Sequence, residues 1–112
     1  MLRSPGLKIV TSNLNNIKHA VKILLDGGIV GIPTETVYGL ACNAFDIHAI
    51  QHVFRAKNRP LDNPLIVHIG EFYQLGLVAE SWPDYVEPLI KRYWPGPLTL
   101  VLPKTPEIPY EL

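Results

Sequence analysis

One stretch constrains this chain more than any other: Ile29-Val30-Gly31-Ile32 followed by Pro33-Thr34-Glu35-Thr36-Val37-Tyr38-Gly39-Leu40. The four apolar residues read as a buried strand. Pro33 ends it, because proline has no N–H to donate to a sheet ladder. Hydroxyl groups and a carboxylate follow immediately. Open α/β sheets take their ligands at the carboxyl ends of strands, so Thr34, Glu35, Thr36 and Tyr38 fall where a ligand belongs.

The surrounding pattern alternates strands with helices. Leu7–Val10 reads as a first strand. Ser12 or Asn13 is placed to N-cap a helix whose apolar stripe is Leu14, Ile17, Val21, Leu24 and Leu25. Gly27-Gly28 stops that helix. Asp46 is placed to cap a second helix with Ile47, Ile50, Val53 and Phe54 inward, and Pro60 ends it by disfavouring helical geometry at Arg59. Leu65–Ile69 reads as a third strand, Glu71–Val78 as a short helix and Asp84–Tyr93 as a longer one. Trp94-Pro95-Gly96-Pro97 reads as a tight turn, and Leu98–Leu102 as a last strand. The expected class is α/β, with a twisted, open, mostly parallel or mixed sheet and flanking helices. Residues 103–112, with Pro103, Pro106 and Pro109, read as a tail or truncated connection.

Composition limits the functions open to such a fold. The 112 residues fit one small domain, and 47% of them are apolar, enough for a core. The ten basic and ten acidic side chains cancel, so any nucleic-acid contact must be local. No apolar run reaches the roughly 18 residues of a membrane span, and Met1–Pro5 lacks the core of a secretory signal. With a single cysteine, Cys42, there is no internal disulfide. A soluble, cytoplasmic chain is expected.

Two clusters carry chemistry. Lys57 and Arg59 sit two residues apart at a helix end, with Asn63 beyond them. The guanidinium fork and the ammonium suit a phosphate, and Asn63 adds an amide without charge. The structural alternative is that basic residues finish helices because they favour the negative end of the dipole. His68 lies near the carboxyl end of an apolar strand, either as a hydrogen-bonded core histidine or facing a small polar ligand. Glu35 and Asp62 either pair with those cations or help hold Mg²⁺ on a nucleotide. Cys42 and the histidines lack metal-ligand spacing. No P-loop, dinucleotide fingerprint or nucleophile elbow is present. Trp82, Trp94, Tyr85 and Tyr93 flank the last helix at spacing that favours packing over base stacking.

Three of these segments, Gly28–Leu40, then Lys57-Asn58-Arg59-Pro60 with Asn63-Pro64-Leu65 and His68, then Trp94–Val101, occur in an order that resembles the YrdC-like family. The resemblance spans residues 28 to 102. It implies a YrdC/RibB-like fold with a concave, positively lined cavity. It also implies the activity of the family's best-known members, the L-threonylcarbamoyladenylate synthases, which make threonylcarbamoyl-AMP and pyrophosphate from L-threonine, bicarbonate and ATP. A downstream tRNA threonylcarbamoyl transferase then uses the product. By the same resemblance Thr36 and His68 bind L-threonine, while Lys57, Arg59 and Asn63 bind ATP, with Mg²⁺ accompanying the phosphates and no covalent nucleophile.

The family's later Ser-x-Asn motif and Arg-containing strand have no counterpart here. The chain is therefore expected to be the N-terminal portion of such a domain, holding about half a site and self-associating through an open sheet edge. The competing reading is a non-catalytic RNA- or nucleotide-binding half-domain, gripping tRNA or double-stranded RNA with Lys57, Arg59, Lys91 and Arg92. Relatives that handle carbamoyl-adenylate in hydrogenase maturation carry zinc-finger-like segments, which a single cysteine does not supply.

Overall fold

The computed structural model describes residues 9–58, 60, 65–109 and 112. The expectations for Leu7, Lys8, Arg59, Asp62 and Asn63 lie outside these residues, while Ile9 and Val10 are described but belong to no strand.

Helix α1 spans Leu14–Leu25. The Asn13 side chain accepts from the Asn16 N–H at 2.9 Å, satisfying one of the donors a helix start leaves open. At the other end the Gly28 N–H donates to the Ile23 carbonyl at 2.8 Å and the Gly27 N–H to the Leu24 carbonyl at 3.1 Å. That bond pair is a Schellman motif, and it requires the left-handed backbone that Gly27 adopts at φ +89°. The double glycine thus ends the helix and turns the chain into strand β1, Val30–Pro33.

β1 pairs antiparallel with β2, Tyr38–Ala41, in the register Val30↔Ala41 to Pro33↔Tyr38. This corrects two expectations. Tyr38–Ala41 is a strand and not part of the polar loop, and the one ladder among the described residues is antiparallel. The four-residue connection 34–37 is a normal hairpin length. It closes on Thr34, whose hydroxyl donates to the Val37 carbonyl and accepts from the Val37 N–H at 3.2 Å.

Helix α2 spans Ile47–Lys57 and buries Ala49, Ile50, Val53 and Phe54. Asp46 caps it, accepting from the N–H groups of His48 at 3.0 Å and Ala49 at 3.1 Å. Asn58 ends it in the left-handed region at φ 50°, which asparagine tolerates better than other side chains.

Residues 65–69 alternate between half-buried and exposed, yet they form no ladder. Leu98–Leu102 likewise forms no strand. Both runs have the composition of strands, but strand assignment needs a hydrogen-bonded neighbour, and the described residues supply none.

A single turn of 3₁₀-helix, Phe72–Gln74, leads into helix α3, Leu75–Val78, and helix α4 follows at Val86–Tyr93. Pro88 sits in the first turn of α4, where a missing N–H costs nothing. Leu75, Ala79, Val86 and Ile90 form the core of this region, with Ile69, Trp82, Trp94, Leu100 and Leu102 packed around them. The two tryptophans are thus packing residues, and Trp94 Nε1 donates to the Leu98 carbonyl at 2.8 Å. Tyr85 and Tyr93 stay exposed, and the Arg92 guanidinium lies 5.7 Å over the Tyr93 ring.

The segment after Leu102 folds back. Thr105 N–H donates to the Val78 carbonyl and its hydroxyl to the Leu77 carbonyl, both at 2.9 Å, while Glu80 N–H donates to the Pro103 carbonyl at 2.8 Å. Ile108 is 2% exposed.

The chain nonetheless exposes 8966 Å², against about 6,200 Å² for a compact monomer of this mass. Its radius of gyration is 15.3 Å, where about 13 Å is usual for such a length. Among the described residues no helix is long and apolar enough to cross a membrane.

Candidate functional site

A small pocket of about 210 Å³ opens between the approach to α2, the segment 67–70 and the start of α3. Asn43, Phe45, Val67, His68, Gly70 and Gln74 are among its walls. Its volume is below the roughly 300–1,000 Å³ of drug-sized sites and suits a small ligand. No lysine or arginine lines it, so the positively lined hollow expected from the resemblance is not found among the described residues.

His68 is exposed, and its Nδ1 lies 3.1 Å from the Ile66 carbonyl. A carbonyl oxygen only accepts, so Nδ1 carries the hydrogen. In the neutral ring Nε2 is then a bare acceptor. Gln74 closes the far side of the same segment: its side-chain oxygen accepts from Gly70 N–H at 2.7 Å and from Glu71 N–H at 2.9 Å.

The other described candidates stand apart from these walls. Thr36 is in the hairpin connection, its N–H 3.4 Å from the Thr34 hydroxyl oxygen. Lys57 is the last residue of α2 and is exposed. Among the described residues Lys57 and Glu35 form no ion pair. Among the described residues the one salt bridge joins Lys22 to Asp26 at 3.6 Å, on an exposed helix face where such a pair contributes little. The structure thus brings His68 to the pocket, but neither Thr36 nor Lys57 is one of its walls.

Sequence reasoning missed Asn43 and Gln74. For Gln74 a signal existed: Glu71-x-x-Gln74 has the spacing of a capping box. Near α2, burial pushes the Cys42 thiol pKa up, and the Asp46 carboxylate adds to that shift. Cys42 is therefore a poor nucleophile at neutral pH.

Residues 22–112 match the profile of the Sua5/YciO/YrdC family, described as telomere recombination. The chain belongs to that family. A Sua5/YciO/YrdC relative from Pyrococcus abyssi, a threonylcarbamoyl-AMP synthase, is 53% identical over 93 residues, which cover 83% of this chain and 27% of the relative. The threonylcarbamoyl-AMP synthase of Bacillus subtilis is 44% identical over 98 residues, covering 88% of this chain and 28% of its own length. The solved structure of P. abyssi Sua5 complexed with L-threonine superposes with a TM-score of 0.81 at 52% identity, over 85% of this chain and 28% of that one. The α/β class and the relation to this fold are therefore established, and the chain spans between a quarter and a third of the length of these relatives.

Proposed function

We propose that this chain serves the synthesis of threonylcarbamoyl-AMP, contributing the L-threonine side and the phosphate-binding hook of the site. The observation that carries this reading is the likeness, at 52% identity, to a Sua5 protein crystallised with L-threonine. The pocket at His68 supports it in size and in chemistry.

The chemistry needs no protein nucleophile. The threonine amine and bicarbonate give a carbamate and water. A carbamate oxygen then attacks the α-phosphorus of ATP, forming the mixed anhydride with AMP as pyrophosphate leaves. What remains for the protein is positioning and charge stabilisation. Thr36 and His68 hold the amino acid, with the bare Nε2 of His68 taking a hydrogen bond from an ammonium or hydroxyl donor. Lys57 and Arg59 meet the charge that builds on the phosphates, and Asn63 orients the nucleotide.

Among the described residues no group of three His, Cys, Asp or Glu side chains converges. These residues do not form a cage for Mg²⁺, which would arrive on the triphosphate with its waters. The product passes to a tRNA-modifying transferase.

The test is pyrophosphate release from ATP by this chain, with full-length P. abyssi relative assayed beside it. The expected result is release that requires both L-threonine and bicarbonate and falls about a hundredfold in Lys57→Ala. A working relative beside an unresponsive chain overturns the activity. RNA affinity that falls steeply with salt and survives Thr36→Val would instead mark a binding module.

A further inference from the structure

The segment 65–69 carries His68, yet among the described residues no backbone hydrogen bond reaches it. A run without a ladder has to be fixed by its side chains and its ends. Ile69 packs on the Leu75, Ala79, Val86 and Ile90 core. Directly after it, two consecutive N–H groups, those of Gly70 and Glu71, converge on one oxygen of Gln74 at 2.7 and 2.9 Å. Two donors require an acceptor, so chemistry alone sets the oxygen of this carboxamide on that side. Upstream, among the described residues, the hydrogen bond of the His68 ring is to its own segment, from Nδ1 to the Ile66 carbonyl at 3.1 Å.

We propose that Gln74 is a positioning residue for His68: its carboxamide oxygen clamps the backbone just beyond the histidine, so that the ring keeps Nδ1 on the Ile66 carbonyl and presents Nε2 to the pocket as an acceptor. His68 and Gln74 are walls of that pocket, as is Gly70 between them. The geometry makes the site selective for a ligand group that donates. An ammonium or hydroxyl is accepted by Nε2, whereas a carboxylate placed there meets a lone pair. The identity of the ligand as L-threonine rests on the proposed function above; the positioning role does not.

The experiment is NMR of the ¹⁵N-labelled full chain at a pH where the imidazoles are neutral, with the His68 ring assigned through His68→Gln. The wild type should show a protonated Nδ1 and a bare Nε2. Gln74→Glu keeps an acceptor oxygen and should keep that pattern. Gln74→Leu keeps the bulk without the acceptor and should give ring shifts averaged between tautomers. Should Gln74→Leu not fold, Gln74→Asn, which withdraws the same amide by one methylene, decides by the same shifts. A wild type with the opposite tautomer, or a folded Leu or Asn variant with wild-type ring shifts, overturns the proposal.

L-Threonine titration of the same samples separates the two readings. Binding should weaken about tenfold in Gln74→Leu, as expected for a displaced contact group, and stay near wild type in Gln74→Glu. A wild type with the expected ring pattern and no threonine binding overturns the ligand and leaves the clamp standing. Equal threonine binding by wild type and Gln74→Leu, with unchanged shifts, does the reverse.

Discussion

Helix α1 has twelve residues and buries none of them, whereas α4 has eight and buries Val86 and Ile90. Both are amphipathic. On α1 the stripe Leu14, Ile17, Val21 and Leu25 lies open to solvent, with Leu14 67% and Leu25 71% exposed. On α4 the equivalent side meets Leu75, Ala79 and two tryptophans. An apolar stripe states that a helix has a face to bury. Whether the partner is present is a separate matter, decided by the rest of the fold. The hairpin shares the condition of α1, with Ile32, Val37, Tyr38 and Leu40 exposed.

The sharpest way to break the contrast is a pair of truncations read by thermal or denaturant unfolding. Ile90→Ala should cost about 2–5 kcal/mol, as large-to-small changes in packed cores do. Val21→Ala should cost no more than about 0.5 kcal/mol, the usual size at exposed positions. A comparable loss from both would mean that α1 is covered in solution. Next in size, Thr105→Val removes the hydroxyl that donates to the Leu77 carbonyl. It should cost about 1–2 kcal/mol and leave the circular dichroism of the folded chain unchanged.

The helix caps sharpen the comparison further. Asn13→Ala and Asp46→Ala each remove about 1 kcal/mol of local helix stability. Only the second should lower the main unfolding transition, because α2 buries residues and α1 does not. Asn13→Ala should appear as fraying of α1 in amide exchange. The smallest effect concerns Cys42. Its raised pKa means that the folded state holds the thiol proton to higher pH than the unfolded state. Stability is therefore unaffected below the ordinary thiol value of about 8.5 and declines as pH rises through the folded value. Alkylation at pH 8 should be slow, and faster in Asp46→Ala, which removes the smaller of the two causes.

What could be read from the chain beforehand divides along physical lines. Asn13, Asp46 and the Gly27-Gly28 stop were legible because capping and left-handed turns are local, settled within a few residues. The inward face of α2 was legible from its spacing. Leu65–Ile69 and Leu98–Leu102 have strand composition, but pairing is non-local, and no described partner lies beside them. Tyr38–Ala41 was hidden by the hydroxyls that precede it, although two apolar runs four residues apart are a hairpin signal. His68, which lines the pocket, was singled out by its place in an apolar run. Gln74 was overlooked because its role is to hold backbone, and the spacing Glu71-x-x-Gln74 that marks it signals a helix cap and not a ligand site.

The return of Lys104 and Thr105 to Ala79 and Val78 closes a loop around α4. A protease that cuts in the exposed turn at 95–97 would therefore break the chain without releasing either piece. The two fragments should elute together under native conditions and separate on a denaturing gel.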